Sequence, residues 1–174
     1  MISLVSVDVQ DAEPLVLEVL RSGQIAQGPM VERLEQVVAE TVGVDHAVAV
    51  NSGTAALLVT LGALDLKPGD EVITSPFTFA ATLNAILASG ATAQFVDIRP
   101  DDFNIDPTLI GDRANERTKV LLPVSLYGQM ADMPAIEELA LEHGLTMVED
   151  SAQALGATFC GRSAGSFGVG CFSL

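Results

Sequence analysis

The stretch EVITSPFTFAATLNAILASGATAQFVDI, residues 71–98, joins a strand pattern, a helix pattern and a second strand pattern. Three of its first five residues, EVITS, are β-branched, as is typical of a buried strand. Thr78 is a candidate N-cap for a helix that runs to Ser89, and TAQFVDI predicts the next strand. Two strands joined by a helix of about ten residues form a βαβ unit, in which the strands are parallel.

The same alternation extends to both sides of this stretch. Ala47–Val50 predicts a strand that leads through Ser52-Gly53-Thr54 into a helix that is apolar nearly all round. An earlier helix is predicted from Pro29 to a stop at Gly43. The remaining predicted elements are strands within residues 118–128 and 145–150, a short helix capped by Asp106 and a helix that begins at Asp132. This order predicts an α/β fold with a mainly parallel sheet sandwiched by helices.

Composition excludes several classes of function. The chain has 174 residues, of which 49% are hydrophobic, and a formal net charge of −15. This acidic charge repels phosphate backbones, so we expect no nucleic-acid partner. No run reaches about 18 apolar residues, and the N-terminal MISLVSVDVQDAE lacks a basic start, so we expect no membrane span, no signal peptide and a cytoplasmic protein. Cys160 and Cys171 have no CxxC spacing, which predicts buried thiols and no metal site.

Ser52-Gly53-Thr54 lies where a predicted strand passes directly into a helix. Gly53 allows a ligand to approach the backbone closely, and the first N–H groups of the helix have no intrahelical partner. These groups favour a phosphate, which the Thr54 hydroxyl can also bind. An ordinary N-cap produces the same residue pattern, so both interpretations remain open at this point.

Asp150 ends a predicted strand, where a buried carboxylate without a cation is costly. The eight Lys and Arg residues lie mostly in predicted turns or on exposed faces, which favours a ligand cation as its partner, with an N-cap role as the alternative. Glu149 should point to the opposite face of the strand. Phe79 follows another strand end and either stacks on a flat ring or packs in the core. A phosphate site, an aromatic face and a buried carboxylate together indicate pyridoxal phosphate (PLP), with its ring nitrogen kept protonated by Asp150.

Seven ordered blocks, spread over nearly the whole chain, closely resemble the DegT/DnrJ/EryC1/StrS family of PLP-dependent sugar aminotransferases. They are GQIAQGPMVERLE, VDHAVAVNSGTAAL, KPGDEVITSPFTFAAT, GATAQFVDI, FNIDP, RTKVLLPVSLYGQMADM and VEDSAQALGATFCGRSAGSFGVGCFSL. The resemblance implies a fold-type-I large domain over residues 1–174 and a homodimer with active sites at the subunit interface. It also implies transfer of an amino group from glutamate or glutamine to a nucleotide-linked keto-sugar.

The resemblance assigns PLP contacts to seven positions, four for the phosphate and three for the ring. The phosphate-binding positions are Gly53, Thr54, Ala55 and Ser173. The ring-binding positions are Phe79, which stacks on the pyridine, Asp150, which bonds the ring nitrogen, and Gln153, which contacts the 3-oxygen.

The Schiff-base lysine of the family lies a few residues after the pair that matches Phe172-Ser173, whereas the last residue here is Leu174. The two lysines of the chain, Lys67 and Lys119, lie at neither that position nor near it in sequence. We therefore expect the catalytic lysine just past Leu174, and we expect the family's small C-terminal domain to be absent from this chain.

Two other interpretations follow from the missing lysine. One is a non-catalytic PLP-binding fragment or an accessory subunit that completes a partner. The other is a relative of the sugar dehydratases that use pyridoxamine phosphate (PMP), in which the lysine position is typically histidine. A nicotinamide-dependent oxidoreductase is disfavoured, because GVGCFS lacks the last glycine of the GxGxxG fingerprint and no helix follows it.

Overall fold

The computed structural model describes residues 9–174 and contains a parallel five-stranded sheet with helices on both faces. The helices are α1 (Glu13–Ser22), α2 (Pro29–Val42), α3 (Gly53–Ala63), α4 (Ala80–Ala88) and α5 (Met133–His143), with 3-10 turns at Gln10–Ala12 and Pro107–Leu109. The strands are β1 (Glu71–Thr74), β2 (Thr92–Phe95), β3 (Thr118–Leu121), β4 (Thr146–Asp150), β5 (Thr158–Phe159), β6 (Arg162–Ser163) and β7 (Val169–Cys171). The predicted absence of a signal peptide rests largely on residues 1–8, which lie outside the described residues.

The strand order in the sheet is β2-β1-β3-β4-β7, and all four neighbouring pairs are parallel. The short strands β5 and β6 form a separate antiparallel hairpin. From β1 the chain moves outward to β2, and it then returns to the other side of β1 to place β3, β4 and β7. This reversal of direction opens a crevice at the carboxyl ends of β1 and β3, where ligands bind in open α/β sheets. The predicted α/β fold with a mainly parallel sheet is confirmed.

Two hydrophobic clusters fix the helices to the two faces of the sheet. Strand residues alternate between the faces, because successive side chains of a strand point in opposite directions. The first cluster joins Val72, Val120 and Val148 of the strands to Leu57 and Leu61 of α3 and to Ala85 and Ile86 of α4. The second cluster joins Ile73, Leu121 and Met147 to Met133, Ile136 and Ala140 of α5.

The predicted helix ends are mostly confirmed. Pro29 occupies the first turn of α2, and Gly43 ends that helix in the left-handed conformation, with φ of 81°. The Asp106 carboxylate accepts a hydrogen bond from the Thr108 N–H at 2.9 Å. The Asp132 carboxylate accepts a bond from the Ala135 N–H at 3.4 Å at the start of α5.

Two local predictions were wrong. Ala47–Val50 pairs with no strand among residues 9–174, and Val48 is 80% exposed, because an extended segment forms a strand only beside a partner. Its Ala49 N–H donates instead to the Glu35 carboxylate at 2.8 Å. Thr78 is not the N-cap of α4, since that position belongs to Phe79. The Thr78 hydroxyl is engaged with the Thr82 hydroxyl at 2.7 Å instead.

Three further expectations also need correction. The helix α3 is covered on one side only, so Leu58 and Val59 are exposed although the sequence is apolar all round. The strand predicted within residues 118–128 ends at Leu121, because Pro123 has no N–H to continue the ladder. Cys160 is exposed at the tip of the β5–β6 hairpin, and only Cys171 is a buried thiol. Across residues 9–174, no helix is long and apolar enough to cross a bilayer.

We expect Gly168→Ala to destabilise the protein by about 2 kcal/mol through overpacking. A Cβ on Gly168 would lie 2.4 Å from the Met147 carbonyl oxygen, so the backbone of β4 or β7 would have to shift. Gly62→Ala is the matched control, because a Cβ there meets nothing within 4 Å and α3 gains roughly 0.5–1 kcal/mol of helix propensity. Urea unfolding of both variants measures the difference, and equal stabilities would contradict the close packing of β7 on β4.

Candidate functional site

The predicted site residues gather at the carboxyl edge of the sheet and at the start of α3. Phe79 follows β1, Asp150 ends β4, and Ser173 follows β7. Gly53 begins α3, which packs on the face of the sheet that carries Val148. Asp150 is two residues after Val148 on β4, so its side chain points to the same face. Because parallel strands end at one edge, residues distant in sequence become neighbours there.

Gly53 contacts the segment that follows β7. A Cβ on Gly53 would lie 2.9 Å from the Ser173 Cβ and 3.1 Å from the Phe172 carbonyl oxygen, so only glycine allows this approach. The hydroxyls of Thr54 and Ser173 are therefore offered from two converging segments, and both residues are exposed. With the N–H groups at the start of α3, they form a set of donors suited to a phosphate.

Ser52 is the N-cap of α3, and its Oγ accepts a hydrogen bond from the Ala55 N–H at 3.1 Å. The cap interpretation of this turn is thus correct for Ser52. It leaves the N–H groups of Gly53 and Thr54 without an acceptor among residues 9–174. These two amides are the better candidates for binding an anion, because the Ala55 amide already has a partner.

An open cavity of about 630 Å³ adjoins this turn. It is bordered by α2, the extended segment 44–51, α3 and residues 165–174, and Ser52, Gly53 and Ser173 contribute to its wall. Neither Asp150 nor Phe79 lines it. The cavity therefore contacts the phosphate-binding side of the candidate site but does not contain the ring-binding side.

Asp150 is 4% exposed and is held by two hydrogen bonds. Its Oδ2 accepts from the Thr82 hydroxyl at 2.6 Å, and its Oδ1 accepts from the Ala152 N–H at 3.3 Å. None of the ion pairs within residues 9–174 involves this carboxylate. Burial raises the pKa of Asp150, and the bonds from Thr82 and Ala152 only partly oppose that rise. The Asp150 carboxylate is thus buried without a cationic partner among residues 9–174.

The sequence reasoning missed Thr82, the closest polar contact of Asp150. Thr82 is fully buried in α4, and its N–H donates to the Phe79 carbonyl oxygen at 3.1 Å. Thr78 directly precedes the N-cap of α4 and Thr82 lies in its first turn, so two threonines four residues apart mark this helix start. That spacing is visible in the sequence, but a partner 68 residues away in the chain is not.

Phe79 is 71% exposed, so the alternative that it packs in the core is wrong. Its position at the N-cap of α4 places its ring one helical turn before Thr82, which contacts Asp150. Nearby, the rings of Phe77 and Phe103 lie 5.8 Å apart between centroids. An exposed ring at the start of the helix that supplies Thr82 to Asp150 is suited to stack on a flat cationic ligand.

Gln153 lies in the loop after β4, and its Oε1 accepts a hydrogen bond from the Tyr127 N–H at 3.1 Å. Tyr127 has a left-handed backbone, with φ of 55°, and its amide is thereby turned toward this loop. Because the oxygen of Gln153 is occupied, its NH₂ group remains to donate to a ligand oxygen. The resemblance assigns this residue to the 3-oxygen of the cofactor, and its NH₂ group would be the donor for that contact.

Glu149 points to the opposite face of β4, as predicted. It accepts hydrogen bonds from the N–H groups of Gly165 at 2.7 Å, Phe167 at 2.6 Å and Gly168 at 2.9 Å. Burial raises the pKa of Glu149 despite these three bonds. Its role is structural, because every polar contact it makes fixes the loop that leads into β7.

The lysines lie at the other edge of the sheet. Lys67 is in the turn before β1, where its N–H donates to Asp70 at 2.7 Å and its ammonium pairs with Asp65. The Lys119 ammonium donates to the Glu116 carbonyl oxygen at 2.8 Å, just before β3. Both positions are at the amino ends of strands, so neither lysine is at the candidate site. Arg162, which pairs with Glu137 at 2.8 Å, is also engaged elsewhere.

Buried hydroxyls provide a test of whether a ligand such as PLP fits this edge. Within the described chain, Thr74 Oγ1 and Ser151 Oγ are buried without a hydrogen-bond partner. Thr74 ends β1 on the same face as Val72, and Ser151 directly follows Asp150. Unpaired buried hydroxyls are unfavourable, and both residues lie where β1 and β4 end, at the carboxyl edge of the sheet. The donor set, the exposed ring and the free anion fit a phosphorylated aromatic cation.

Comparisons with known proteins place this chain in a family. A sequence profile of the DegT/DnrJ/EryC1/StrS aminotransferase family matches residues 7–174. The spore coat polysaccharide biosynthesis protein SpsC of Bacillus subtilis is 48% identical over 88% of this chain and 39% of its own length. The UDP-N-acetyl-3-dehydro-alpha-D-glucosamine 3-aminotransferase of Acidithiobacillus ferrooxidans is 48% identical over 90% of this chain and 42% of its own length.

Solved structures agree with the sequence comparisons. The putative sugar aminotransferase Spr1654 of Streptococcus pneumoniae, in its PLP form, superposes with a TM-score of 0.88 and 34% identity over 96% of this chain and 47% of that chain. Its PMP form gives a TM-score of 0.90. The present chain thus spans about two fifths to one half of the length of the relatives it matches. The profile match and the fold together establish that the chain belongs to the DegT/DnrJ/EryC1/StrS aminotransferase family.

Proposed function

We propose that residues 1–174 form the cofactor-binding large domain of a PLP-dependent aminotransferase. The observation on which this proposal depends is Asp150, a buried carboxylate that is hydrogen-bonded by neutral groups and has no cationic partner in the described chain. A protonated pyridine nitrogen is a cation that suits this position. The relatives named above, one of which was solved with PLP and with PMP, support the same choice.

The proposed site has a phosphate-binding side and a ring-binding side. The amides of Gly53 and Thr54, with the hydroxyls of Thr54 and Ser173, would hold the phosphate at the start of α3. The Ala55 amide, which is bonded to Ser52 Oγ, would join them only by releasing that bond. Phe79 would cover one face of the ring, Asp150 would keep the ring nitrogen protonated, and the Gln153 amide would donate to the 3-oxygen. When bound, PLP supplies a protonated ring that accepts electrons from the reacting carbon. This chain's part is to bind the cofactor, orient it and retain the proton on its nitrogen.

The substrate class in this proposal is a nucleotide-linked keto-sugar, with glutamate or glutamine as the amino donor. The name of the Acidithiobacillus relative describes amination of such a UDP-sugar, and its identity to this chain is 48%. We further propose a cytoplasmic homodimer with active sites at the subunit interface. The exposed apolar side chains Val48, Leu58 and Val59 support a protein partner beside α3.

The covalent step requires an amine that this chain does not bring to the site. A lysine carries the cofactor in enzymes of this chemistry and moves the proton between substrate and cofactor. Lys67 and Lys119 are engaged at the amino edge of the sheet. We therefore propose that the catalytic lysine follows Leu174 in the complete protein, together with the small domain.

The position of the two lysines also motivates a second candidate. A protein without a lysine after Leu174 would be a non-catalytic cofactor-binding chain or an accessory subunit. A histidine at that position would instead indicate a PMP-dependent sugar dehydratase. The residue at the position of the family lysine, just past Leu174 in the complete protein, separates these candidates.

The mass of the complete protein, measured after incubation with PLP and borohydride reduction, tests the proposal. We expect one PLP to be fixed per chain, and peptide mapping should locate it on a lysine beyond Leu174. Lys67→Arg is the control and should leave the labelling unchanged, because that side chain is paired at the far edge. Labelling that disappears in Lys67→Arg, or no labelling at all, would exclude the aminotransferase.

We expect Asp150→Asn to stabilise the cofactor-free protein while weakening PMP binding at least tenfold, since a neutral amide cannot stabilise a protonated ring nitrogen. The folded-state pKa of Asp150 is raised, so its contribution to stability is complete below the ordinary carboxyl pKa and falls as pH rises toward the folded value. Asparagine does not titrate, so the gain should grow over that pH window. Urea unfolding as a function of pH and PMP titration measure the two effects.

Glu149→Gln is the matched control on the same strand. It puts an NH₂ group against one or more of the backbone N–H donors of Gly165, Phe167 and Gly168, so it should destabilise the protein at all pH values. A stabilising effect of Glu149→Gln, or a destabilising effect of Asp150→Asn in the cofactor-free protein, would contradict the different roles assigned to the two carboxylates.

A further inference from the structure

The Asp150 carboxylate is fixed from three directions. Its strand is held by the Asp150 N–H, which donates to the Pro123 carbonyl oxygen at 3.0 Å, and by the Ser125 N–H, which donates to the Asp150 carbonyl oxygen at 3.0 Å. Its side chain is held by Thr82 from α4 and by the Ala152 N–H from the following loop. The Thr82 contact, at 2.6 Å, is the shorter of the two and comes from a different layer of the fold.

The hydrogen-bond directions around Thr82 follow from proton counting. An ionised carboxylate only accepts, so the single hydroxyl proton of Thr82 is directed at Asp150 Oδ2. The 2.7 Å contact between Thr78 and Thr82 must then be formed by the proton of Thr78. The result is a one-way chain of two hydroxyls, from Thr78 to Thr82 to Asp150. Each bond in such a chain strengthens the next, because polarisation adds along it.

The start of α4 holds the Thr78 and Thr82 hydroxyls in place. The Thr82 N–H is bonded to the Phe79 carbonyl oxygen at 3.1 Å, so the turn that presents the Phe79 ring also fixes the Thr82 backbone. Thr82 is fully buried against the sheet, which leaves its β-branched side chain few alternative rotamers. The hydroxyl therefore reaches Asp150 from a rigid element rather than from a loop.

We propose that Thr82 is a positioning residue for the candidate site, which orients the Asp150 carboxylate and stabilises its charged form, with Thr78 as its support. This role rests on the proposed function for the identity of the cation. The hydrogen bonds from Thr78 to Thr82 to Asp150 do not depend on that identity. In the cofactor-free protein the hydroxyl chain offsets part of the cost of burying the carboxylate. With the cofactor bound, it holds the carboxylate against the ring nitrogen.

Few titratable groups near Asp150 could change its pKa in place of the Thr82 and Thr78 hydroxyls. Cys171 is the register partner of Asp150 on β7, and burial raises the pKa of its thiol to about 11, so it is neutral at the pH of interest. Glu149 is adjacent in sequence but faces the other side of the sheet, toward Gly165 and Phe167. On α4 and β3, the residues that contact Asp150 directly are Thr82 and the backbone around Val124. A change in the titration of Asp150 therefore reports on the hydroxyls.

The first measurement is the pKa of the Asp150 carboxyl in the complete, cofactor-free protein, by carbon-13 NMR of labelled aspartate, with Asp150→Asn assigning the signal. Thr82→Val keeps the shape and removes the hydroxyl, so we expect the pKa to rise by about one unit. Thr82→Ser keeps the hydroxyl and should restore the wild-type value. Thr78→Val should give a smaller rise. Thr60→Val is the control, because Thr60 lies in α3 and its hydroxyl contacts Cys171 rather than Asp150.

The second measurement is the dissociation constant of PMP, which needs no lysine. Thr82→Val should weaken PMP about tenfold, and Thr82→Ser and Thr60→Val should bind it as the wild type does. An unchanged Asp150 pKa in Thr82→Val overturns the proposal, as does a shift of equal size in Thr60→Val. If Thr82→Val does not fold, an unchanged pKa in Thr78→Val overturns it. Wild-type protein that binds no PMP but shows the pKa shifts refutes the proposed function and leaves the role of Thr82 supported.

Discussion

The arrangement of the candidate site depends on the two carboxylates that end β4, which point to opposite faces of the sheet and have different roles. Glu149 accepts hydrogen bonds from three backbone N–H groups of the loop of residues 165–168. Asp150 faces the other layer and is bonded by one hydroxyl and one amide, without a cation. The alternation of a strand thus turns two neighbouring acids into one structural anchor and one site for a ligand.

The Glu149 anchor has consequences for the phosphate-binding side of the site. Once the loop is fixed, Gly168 packs against the Met147 backbone and β7 pairs with β4 from Val169 to Cys171. That pairing determines where the next residues go, and Ser173 arrives against Gly53 at the start of α3. The bonds made by buried Glu149 on β4 therefore help to determine where the Ser173 hydroxyl lies, at the carboxyl ends of the strands. The absence of a Cβ on Gly53 makes the final contact possible.

The ring-binding side depends on α4 rather than on β7. Phe79 and Thr82 lie one turn apart, so one helix start supplies both an exposed ring and the hydroxyl that bonds Asp150. Gln153 is oriented separately, through the left-handed backbone at Tyr127. Three independent elements therefore converge on one edge of the sheet. This convergence at the reversal of strand order is a general property of open α/β folds.

Much of the fold could be predicted from local patterns. Periodicity identified four of the five strands of the sheet, and the capping residues Asp106, Asp132 and Gly43 were predicted correctly, because these signals act within a few residues. The strand predicted at residues 47–50 was wrong because a strand needs a partner, and the apolar pattern of a segment does not show whether one is present. The N-cap of α4 failed because the Thr78 hydroxyl was already used by Thr82.

The sequence by itself determined the α/β class, the family and the residue types of the candidate site, since all of these are recorded in local order and in motif blocks. Only the tertiary structure decided which groups meet. It brought Thr82 to Asp150 across 68 residues, bonded Glu149 to the N–H groups of the loop before β7 and put both lysines at the opposite edge. The reason is that hydrogen bonds between layers depend on the order of the strands and on how the helices pack on the sheet, and local sequence patterns specify neither.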